Sequence, residues 1–270
     1  MAYARIEGTD LYWEAHGAGD PVLLLHGGFG SIESWRPQIG ALSPRYRVLA
    51  YERPGHGRSA DVEGEFGYER GVVEALAFLD AYAAGPAHVI GYSDGAIIGL
   101  LLALRHAERV RSLVAVSGNL DPTAFTGSAE AEGLPVLAPL PPDPAAETTP
   151  DVDREVHRRL SPDGPDHAEA VLAKLFRLWT REPSIDPGEL AGIAARTLVV
   201  SGDRDTIRPD HSLLIASSIP AAQLCIVPGA SHGLLAEKPA FVNALILDFL
   251  SEDEDDAAPG PASLSPAPSA

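Results

Sequence analysis

The run Gly91-Tyr92-Ser93-Asp94-Gly95 is the pattern in this chain that points most directly to chemistry. A serine between two glycines is typical of a sharp turn that lifts the hydroxyl above a sheet, where it can attack an acyl carbon. The apolar run 88–90 precedes it and a helical pattern begins near Asp94, so strand, turn and helix follow in the required order. We therefore predict that Ser93 is a catalytic nucleophile.

His232 is the histidine whose position suits a base for this serine. A serine hydroxyl is a weak nucleophile near neutral pH, so it needs a base within hydrogen-bond reach. Of the nine histidines, His232 lies in Gly229-Ala230-Ser231-His232-Gly233, after the apolar run 223–227 and before the last helical pattern. This predicts a loop at the carboxyl end of a strand, where Ser93 is also expected. His56 is interpreted as a structural loop residue.

A serine nucleophile and its histidine base need a third catalytic residue, an acid that orients the base and stabilises its charged form. The run Gly202-Asp203-Arg204-Asp205 offers two carboxylates for this role. It follows the strand-like run 197–200, so both acids are expected at the same edge of the sheet. We favour Asp205, with Asp203 as a close rival. Asp121, beyond the run 112–116, is a further candidate.

Acyl transfer also needs two N–H donors for the oxyanion that forms on the substrate. The backbone N–H of Asp94 is one expected donor. The glycine-rich run 26–30, which follows the apolar run 22–25, offers the second from Gly28 or Phe29, and the sequence leaves this choice open. The run lacks the Gly-Lys-Ser/Thr ending of a phosphate loop, so nucleotide binding is disfavoured.

Short apolar runs alternate with helical patterns along most of the chain. Residues 2–6 and 10–14 flank Gly8 and alternate apolar with polar side chains, which predicts an antiparallel hairpin. Six runs are typical of buried parallel strands: 22–25, 47–51, 88–90, 112–116, 197–200 and 223–227. Apolar residues have helical spacing at 31–42, 68–82, 94–106, 209–218 and 237–250. This order predicts an α/β protein with a mostly parallel sheet and helices on both faces.

Proline usage divides the chain. Eleven of the 24 prolines lie between Asn119 and Gly188, where they interrupt the alternation of strands and helices. We predict a catalytic core in two parts, 1–118 and 189–250, with an insertion at 119–188. The segment 251–270 is acidic and then rich in Pro, Ala and Ser, which predicts a disordered tail.

The bulk properties exclude several classes of function. A net charge of −18 disfavours nucleic acids and anionic membranes as partners. No metal cluster or dinucleotide fingerprint is found, so we expect no cofactor and a small-molecule substrate. A single cysteine rules out an intrachain disulfide, and neither a secretory signal nor a long apolar run is present. We expect a cytoplasmic protein, either a monomer or a homodimer.

Together these motifs resemble the α/β-hydrolase fold superfamily, within it the cap-bearing branch of esterases, lactonases, C–C bond hydrolases and cofactor-free haloperoxidases. The order Ser93, Asp205, His232 matches the superfamily's order of nucleophile, acid and base. Gly202-x-x-Asp205 is similar to its acid motif, which is why Asp205 leads Asp203, although some members place the acid where Asp121 stands. Epoxide hydrolases and haloalkane dehalogenases carry aspartate in place of Ser93, which argues against those two activities.

The resemblance covers residues 22–250 apart from the proline-rich insertion, and it implies an eight-stranded sheet with the insertion as a helical cap. Helices are expected at 151–160 and 165–180 of the cap. The second carries an apolar stripe formed by Leu172, Leu175, Phe176 and Trp179. Most of this stripe should pack between cap and body, whereas Phe176 and Trp179 are candidates for the substrate pocket together with Tyr92.

The implied activity is acyl transfer to Ser93 from a small, mostly apolar, neutral ester or lactone. Hydrolysis of a C–C bond in a β-diketone or ring-fission product could use the same three residues. A cofactor-free perhydrolase or cyclase is also compatible with them. A small-molecule receptor that retains the triad is the candidate outside catalysis.

Overall fold

Eight strands form one sheet within the residues that this computed structural model describes, 2–126 and 152–257. In chain order they are β1 (Ala2–Ile6), β2 (Thr9–His16), β3 (Pro21–Leu25), β4 (Arg47–Tyr51), β5 (Ala87–Tyr92), β6 (Val110–Val116), β7 (Arg196–Gly202) and β8 (Gln223–Val227). Across the sheet the order is β1-β2-β4-β3-β5-β6-β7-β8. β2 is antiparallel to β1 and β4, and the other pairs are parallel. The predicted fold class is confirmed.

Helices cover both faces of this sheet. The α-helices of the described residues are α1 (Arg36–Leu42), α2 (Tyr68–Tyr82), α3 (Asp94–Arg105), α4 (Val152–Leu160), α5 (Ala168–Trp179), α6 (Pro209–Ser218), α7 (Leu234–Glu237) and α8 (Pro239–Ala257), of which α4 and α5 belong to the insertion between β6 and β7. Alternate strand residues face opposite sides. Leu23 and Leu25 therefore pack in one apolar cluster with α2 and α3, whereas Val22 and Leu24 pack in a second with α1 and α8. Burial on both faces explains the continuous apolar runs of these strands.

Proline positions account for two differences from the predicted helices. The pattern at 31–42 is divided into a 3-10 turn, Ile32–Trp35, and α1, whose first turn contains Pro37. The pattern at 237–250 is divided into α7 and α8, and α8 begins at Pro239. Proline suits the first turn of a helix because the missing N–H would have no partner there.

The chain between β6 and β7 contains the cap helices α4 and α5. Residues 127–151, which hold much of the proline-rich stretch, lie outside the described residues. α5 packs Val171, Leu175 and Leu178 into the first apolar cluster. Its Lys174 Nζ lies 2.8 Å from Oδ2 of Asp61, on the segment between β4 and α2. The second cap helix is therefore attached to the body by both apolar and ionic contacts.

The last helix extends beyond its predicted end. α8 continues to Ala257, so the prediction of a disordered tail is wrong for 251–257. Once the packed first part of a helix has formed, each further residue adds a backbone hydrogen bond at a small cost. The remainder of the predicted tail, 258–270, lies outside the described residues. No helix among the described residues is long and apolar enough to cross a membrane.

Glu14 on β2 anchors the segment 32–36, which supplies part of the candidate site described below. Its carboxylate accepts hydrogen bonds from Arg36 Nη1 at 2.6 Å and from the Tyr12 hydroxyl at 3.0 Å, and His16 Nε2 lies at 2.8 Å. Burial acts to raise the pKa of Glu14, but these partners outweigh it and lower the pKa from 4.5 to about 2. The ionised form is therefore the one that the fold stabilises.

Replacing Glu14 with glutamine is expected to lower the melting temperature at pH 7 by a few degrees. Because the folded-state pKa lies below the unfolded value, the stabilisation is present above pH 4.5 and is lost as the pH falls towards about 2. Thermal unfolding of both forms at several pH values measures this, with the exposed Glu63→Gln as control. A melting difference that grows on acidification would contradict the assignment.

Candidate active site

Ser93 lies at the turn between β5 and α3 with φ 54° and ψ −116°, a conformation that non-glycine residues rarely adopt. The turn is sharp because two glycines allow close backbone contact. A Cβ on Gly91 would overlap the carbonyl of Gly95, and a Cβ on Gly95 would overlap the carbonyl of Leu25. The strain is therefore held by the packing around it, as is common at functional sites.

Ser93, His232 and Asp205 form a continuous hydrogen-bonded relay. His232 Nε2 lies 3.1 Å from Ser93 Oγ, and His232 Nδ1 lies 2.7 Å from Asp205 Oδ1. The three side chains come from the ends of β5, β7 and β8, which lie at the carboxyl edge of the parallel sheet. Nε2 can accept the serine proton while Asp205 holds the Nδ1 proton in place.

Asp205 is fixed by several donors on the core side. Ser117 Oγ donates to its Oδ2 at 2.6 Å, and the backbone N–H of Ile207 donates to its Oδ1 at 3.0 Å. Burial acts to raise the pKa of Asp205, but His232 and these donors outweigh it and lower the pKa. The carboxylate is therefore held in the ionised form that stabilises a protonated imidazole.

The two rival acids are engaged elsewhere. Asp203 Oδ1 accepts the backbone N–H of Gly229 at 2.8 Å. Asp121 Oδ1 accepts the backbone N–H of Thr123 at 2.8 Å and so caps a 3-10 turn. Of the three carboxylates considered from the sequence, Asp205 is the one that contacts His232.

The candidate oxyanion donors lie beside Ser93. As the first residue of α3, Asp94 has a backbone N–H with no acceptor in a preceding turn of that helix. Phe29 has φ 58° in the glycine-rich loop after β3. His26 supports this loop, because its Nε2 accepts the N–H of Arg53 at 3.0 Å and its Nδ1 lies 2.8 Å from the Gly27 carbonyl. Burial, and then the charge of Arg53, lower the pKa of His26 to about 3, which keeps the ring neutral.

A cavity of about 680 Å³ opens over Ser93 and is lined by Gly28, Phe29 and Asp94 among others. Its apolar wall includes Phe29, Tyr92, Phe125, Val156, Trp179 and Leu235. Tyr92 and Trp179 therefore lie where the sequence predicted pocket residues. Tyr92 also donates its hydroxyl to the backbone carbonyl of His232 at 2.9 Å.

Phe176 does not line this cavity, which corrects the prediction for that residue. Its side chain is 59% exposed, and it contacts the ring of Trp179 edge-on at 5.5 Å. The reason is helix geometry, since at ~100° per residue Phe176 lies about 140° from Val171 and about 160° from Leu178, which are on the buried side of α5, whereas Trp179 lies about 40° from the buried Leu175. Trp179 faces the body, and Phe176 faces outward.

Two residues near the site were missed by the sequence analysis. Ser117, which holds Asp205, follows β6 directly and has φ 54°. Its position directly after a strand, at the edge of the sheet where Ser93 lies, is a sequence signal that could have indicated it. His157 on α4 is buried and stacks on Phe29, with ring centroids 5.1 Å apart and planes 18° apart. That contact joins segments distant in the chain, so nothing in the local sequence indicates it.

The motif order, the fold and the relay agree with a comparison to protein families, in which the model for the alpha/beta hydrolase fold matches residues 20–239. The chain belongs to the α/β-hydrolase fold family. No group of three or more metal-ligating side chains that could hold an ion occurs among the described residues of this α/β-hydrolase.

Relatives of this α/β-hydrolase align along nearly their full length. An Azorhizobium caulinodans protein, provisionally named carbamate hydrolase RutD, is 33% identical over 93% of this chain and 99% of the relative. The 2-hydroxy-6-oxononadienedioate/2-hydroxy-6-oxononatrienedioate hydrolase of Comamonas testosteroni is 29% identical over 87% and 89%. Among solved structures, the enol-lactonase of Burkholderia xenovorans has a TM-score of 0.74 at 25% identity, over 92% and 99%. These relatives support hydrolase activity for this chain.

Proposed function

We propose that this chain is a serine hydrolase that transfers the acyl group of a small, mostly apolar, neutral ester or lactone to Ser93. The observation that carries the proposal is the relay from Ser93 Oγ through His232 to Asp205, at 3.1 Å and 2.7 Å, beneath a largely apolar cavity. A serine, a base and an orienting acid in this order are what acyl transfer needs.

In the proposed reaction, Ser93 Oγ attacks the carbonyl carbon and its proton passes to His232 Nε2. The imidazolium formed in this step is stabilised by the Asp205 carboxylate. His232 then returns the proton to the leaving oxygen, and the ester bond breaks to give an acyl-enzyme. A water molecule activated by His232 attacks the acyl-enzyme and releases the acid.

The oxyanion of each tetrahedral intermediate would be held by backbone N–H groups. Asp94 supplies one donor and either Gly28 or Phe29 supplies the other. Backbone donors need no reorganisation during the reaction, so their contribution to the rate is large.

The charges in the cavity wall favour an uncharged substrate. Among the described lining residues the formally charged ones are Glu33, Asp94 and Asp153, and none is arginine or lysine. A substrate carboxylate would therefore enter without a cationic partner, and desolvation of that charge would oppose binding. This argues against a dicarboxylate such as the one in the name of the Comamonas testosteroni relative.

Two p-nitrophenyl esters of nearly equal length test both parts of the proposal. We expect kcat/KM for the neutral butyrate to exceed that for the anionic hemisuccinate by at least about tenfold, or ~1.4 kcal/mol, because no arginine or lysine among the described lining residues would pair with the anion. The spontaneous rate in buffer is subtracted from each enzymatic rate and is not used as a divisor, because the carboxylate of the hemisuccinate attacks its own ester and accelerates the uncatalysed reaction. Equal or higher activity on the hemisuccinate would contradict the substrate class, and no turnover of either ester would contradict the proposed reaction.

Carbamate hydrolysis is a second candidate, favoured by the relative that aligns with 33% identity over nearly its full length. The same relay would carry the carbamoyl group on Ser93. If the chain is an ester hydrolase, a p-nitrophenyl carbamate should release about one equivalent of p-nitrophenol in a burst and then turn over slowly, since carbamoyl-enzymes hydrolyse slowly. Faster steady-state turnover of the carbamate than of the butyrate would favour this candidate.

A wider substrate panel distinguishes ester hydrolysis from C–C bond cleavage, perhydrolysis, cyclisation and ligand binding without turnover. Faster cleavage of a β-diketone than of any ester would indicate a C–C hydrolase. Peracid formation with hydrogen peroxide would indicate a perhydrolase, and ring closure without net hydrolysis would indicate a cyclase. Labelling of Ser93 by a fluorophosphonate without turnover of any substrate would indicate a receptor that retains the triad.

A further inference from the structure

Three parts of the molecule meet at one side chain, Trp179. They are the cap, the helix α3 that follows the turn at Ser93 (the elbow helix), and the glycine-rich loop 26–30 after β3 (the oxyanion loop). Trp179 is the last residue of the cap helix α5, and its indole Nε1–H donates to Asp94 Oδ1 at 2.9 Å. Asp94 follows Ser93 directly and begins α3. The cap is thus bonded to the residue whose backbone N–H is a proposed oxyanion donor.

The carboxylate of Asp94 is held from the body as well. The hydroxyl of Tyr68 donates to its Oδ1 at 3.0 Å, and Arg53 Nη2 donates to its Oδ2 at 3.1 Å. Asp94 is 2% exposed and Arg53 is 8% exposed, so this ion pair is shielded from water. With three donors, the carboxylate is an internal anchor and has little remaining capacity to bind a substrate group.

Gly28 leaves the room that this arrangement needs. A Cβ on Gly28 would overlap Cζ2 of Trp179 and would lie 2.8 Å from Oδ2 of Asp94. The indole therefore lies directly against the oxyanion loop while its N–H reaches the elbow helix. A shift of Trp179 would change the surroundings of both proposed oxyanion donors together.

The geometry points to Trp179 and the Asp94 carboxylate as positioning residues that fix the oxyanion donors from the cap side. This inference rests on the proposed function, because it assigns the contact a role in stabilising the tetrahedral intermediate. A positioning role differs from that of a residue that only lines the pocket, because a lining residue would affect the binding of substrate and transition state alike. A positioning role should instead lower kcat with little change in KM.

The test removes the indole N–H and keeps an aromatic ring, in the variant Trp179→Phe. The matched control is Trp13→Phe, because the Nε1 of Trp13 is buried without a hydrogen-bond partner among the described residues. Removing an oxyanion donor costs about 10²–10³-fold in kcat, so displacing one should cost about tenfold. For Trp179→Phe we expect that loss in butyrate turnover, a KM within about twofold of wild type, and about tenfold weaker inhibition by an alkyl trifluoromethyl ketone. The control should match wild type.

An unchanged kcat in Trp179→Phe, or an effect confined to KM, would overturn the inference. If Trp179→Phe does not fold, Asp94→Ala decides, since it removes the carboxylate that accepts the indole N–H of Trp179 and keeps the backbone N–H of residue 94. The indole ¹⁵N–¹H signal of Trp179 should then shift and kcat should fall about tenfold. A shifted signal with an unchanged kcat overturns the inference, as does an unshifted signal.

The rate of Ser93 labelling by a fluorophosphonate separates this inference from the proposed function. Phosphonylation also forms a charged oxygen at the oxyanion site, and it needs no turnover. A wild-type chain that is labelled but does not turn over esters contradicts the proposed function. In that case a slower labelling rate in Trp179→Phe still supports the positioning role, and an equal rate overturns it.

Discussion

Replacing Ser93 with alanine is expected to lower kcat for p-nitrophenyl butyrate by about 10⁴-fold or more, which leaves a rate set by binding and the oxyanion donors alone. The expectation follows from the 3.1 Å contact between Ser93 Oγ and His232 Nε2, since no covalent intermediate can form without that oxygen. The measurement is the steady-state rate, together with loss of labelling by a fluorophosphonate.

Ser34 provides the matched control for this variant. It also lines the cavity but takes no part in the relay, so Ser34→Ala should keep most of the activity. Alanine has a Cβ like serine and suffers the same backbone strain at φ 54°, so Ser93→Ala should melt near the wild-type temperature. Wild-type turnover by a folded Ser93→Ala chain would remove Ser93 from the mechanism.

The second large effect is expected for Asp205→Asn, with a loss in kcat of about 10⁴-fold. An amide in place of the carboxylate can donate to His232 Nδ1, which favours the tautomer with its proton on Nε2. In that tautomer Nε2 faces Ser93 as a donor and cannot accept the serine proton. The 2.7 Å distance between Asp205 Oδ1 and His232 Nδ1 makes this substitution a test of tautomer control.

Asp203→Asn is the control, because it makes the same chemical change two residues away. Asp203 accepts the N–H of Gly229, so its loss should affect the loop before His232 slightly and leave kcat within about threefold. Similar losses in both variants would show that the loop as a whole, and not the Asp205 carboxylate, supports activity. A larger loss for Asp203→Asn would assign the acid role to that residue.

The elements that position the site could be predicted from the sequence because their signals are local. The predicted helices 68–82 and 209–218 coincide with α2 and α6, and the runs 47–51 and 223–227 coincide with β4 and β8. A buried strand needs a continuous apolar run, and a helix at its surface needs apolar residues at three and four spacing. The elbow around Ser93 is also local, since its two glycines lie within two residues of the serine.

Local signals alone could not decide which aspartate orients His232. Asp203, Asp205 and Asp121 each follow the carboxyl end of a parallel strand. Local sequence therefore predicts all three at the same edge of the sheet. The loop between β7 and α6 directs Asp205 towards His232, and Ser117 from β6 holds its other oxygen at 2.6 Å. Those contacts depend on how three strands align, which tertiary packing decides.

The cap shows the same division. An apolar stripe on one helix predicted Phe176 and Trp179 as pocket residues, yet Phe176 faces outward and Trp179 bonds Asp94. By itself, then, the sequence determined the sheet, most of the helices and the motif around Ser93, because periodicity and turn residues act over a few positions. Three contacts join segments that are far apart in the chain. They are the hydrogen bond of Asp205 with His232, the stacking of His157 on Phe29, and the hydrogen bond of Trp179 with Asp94. Only the packed tertiary structure, which brings those segments to one edge of the sheet, could decide them.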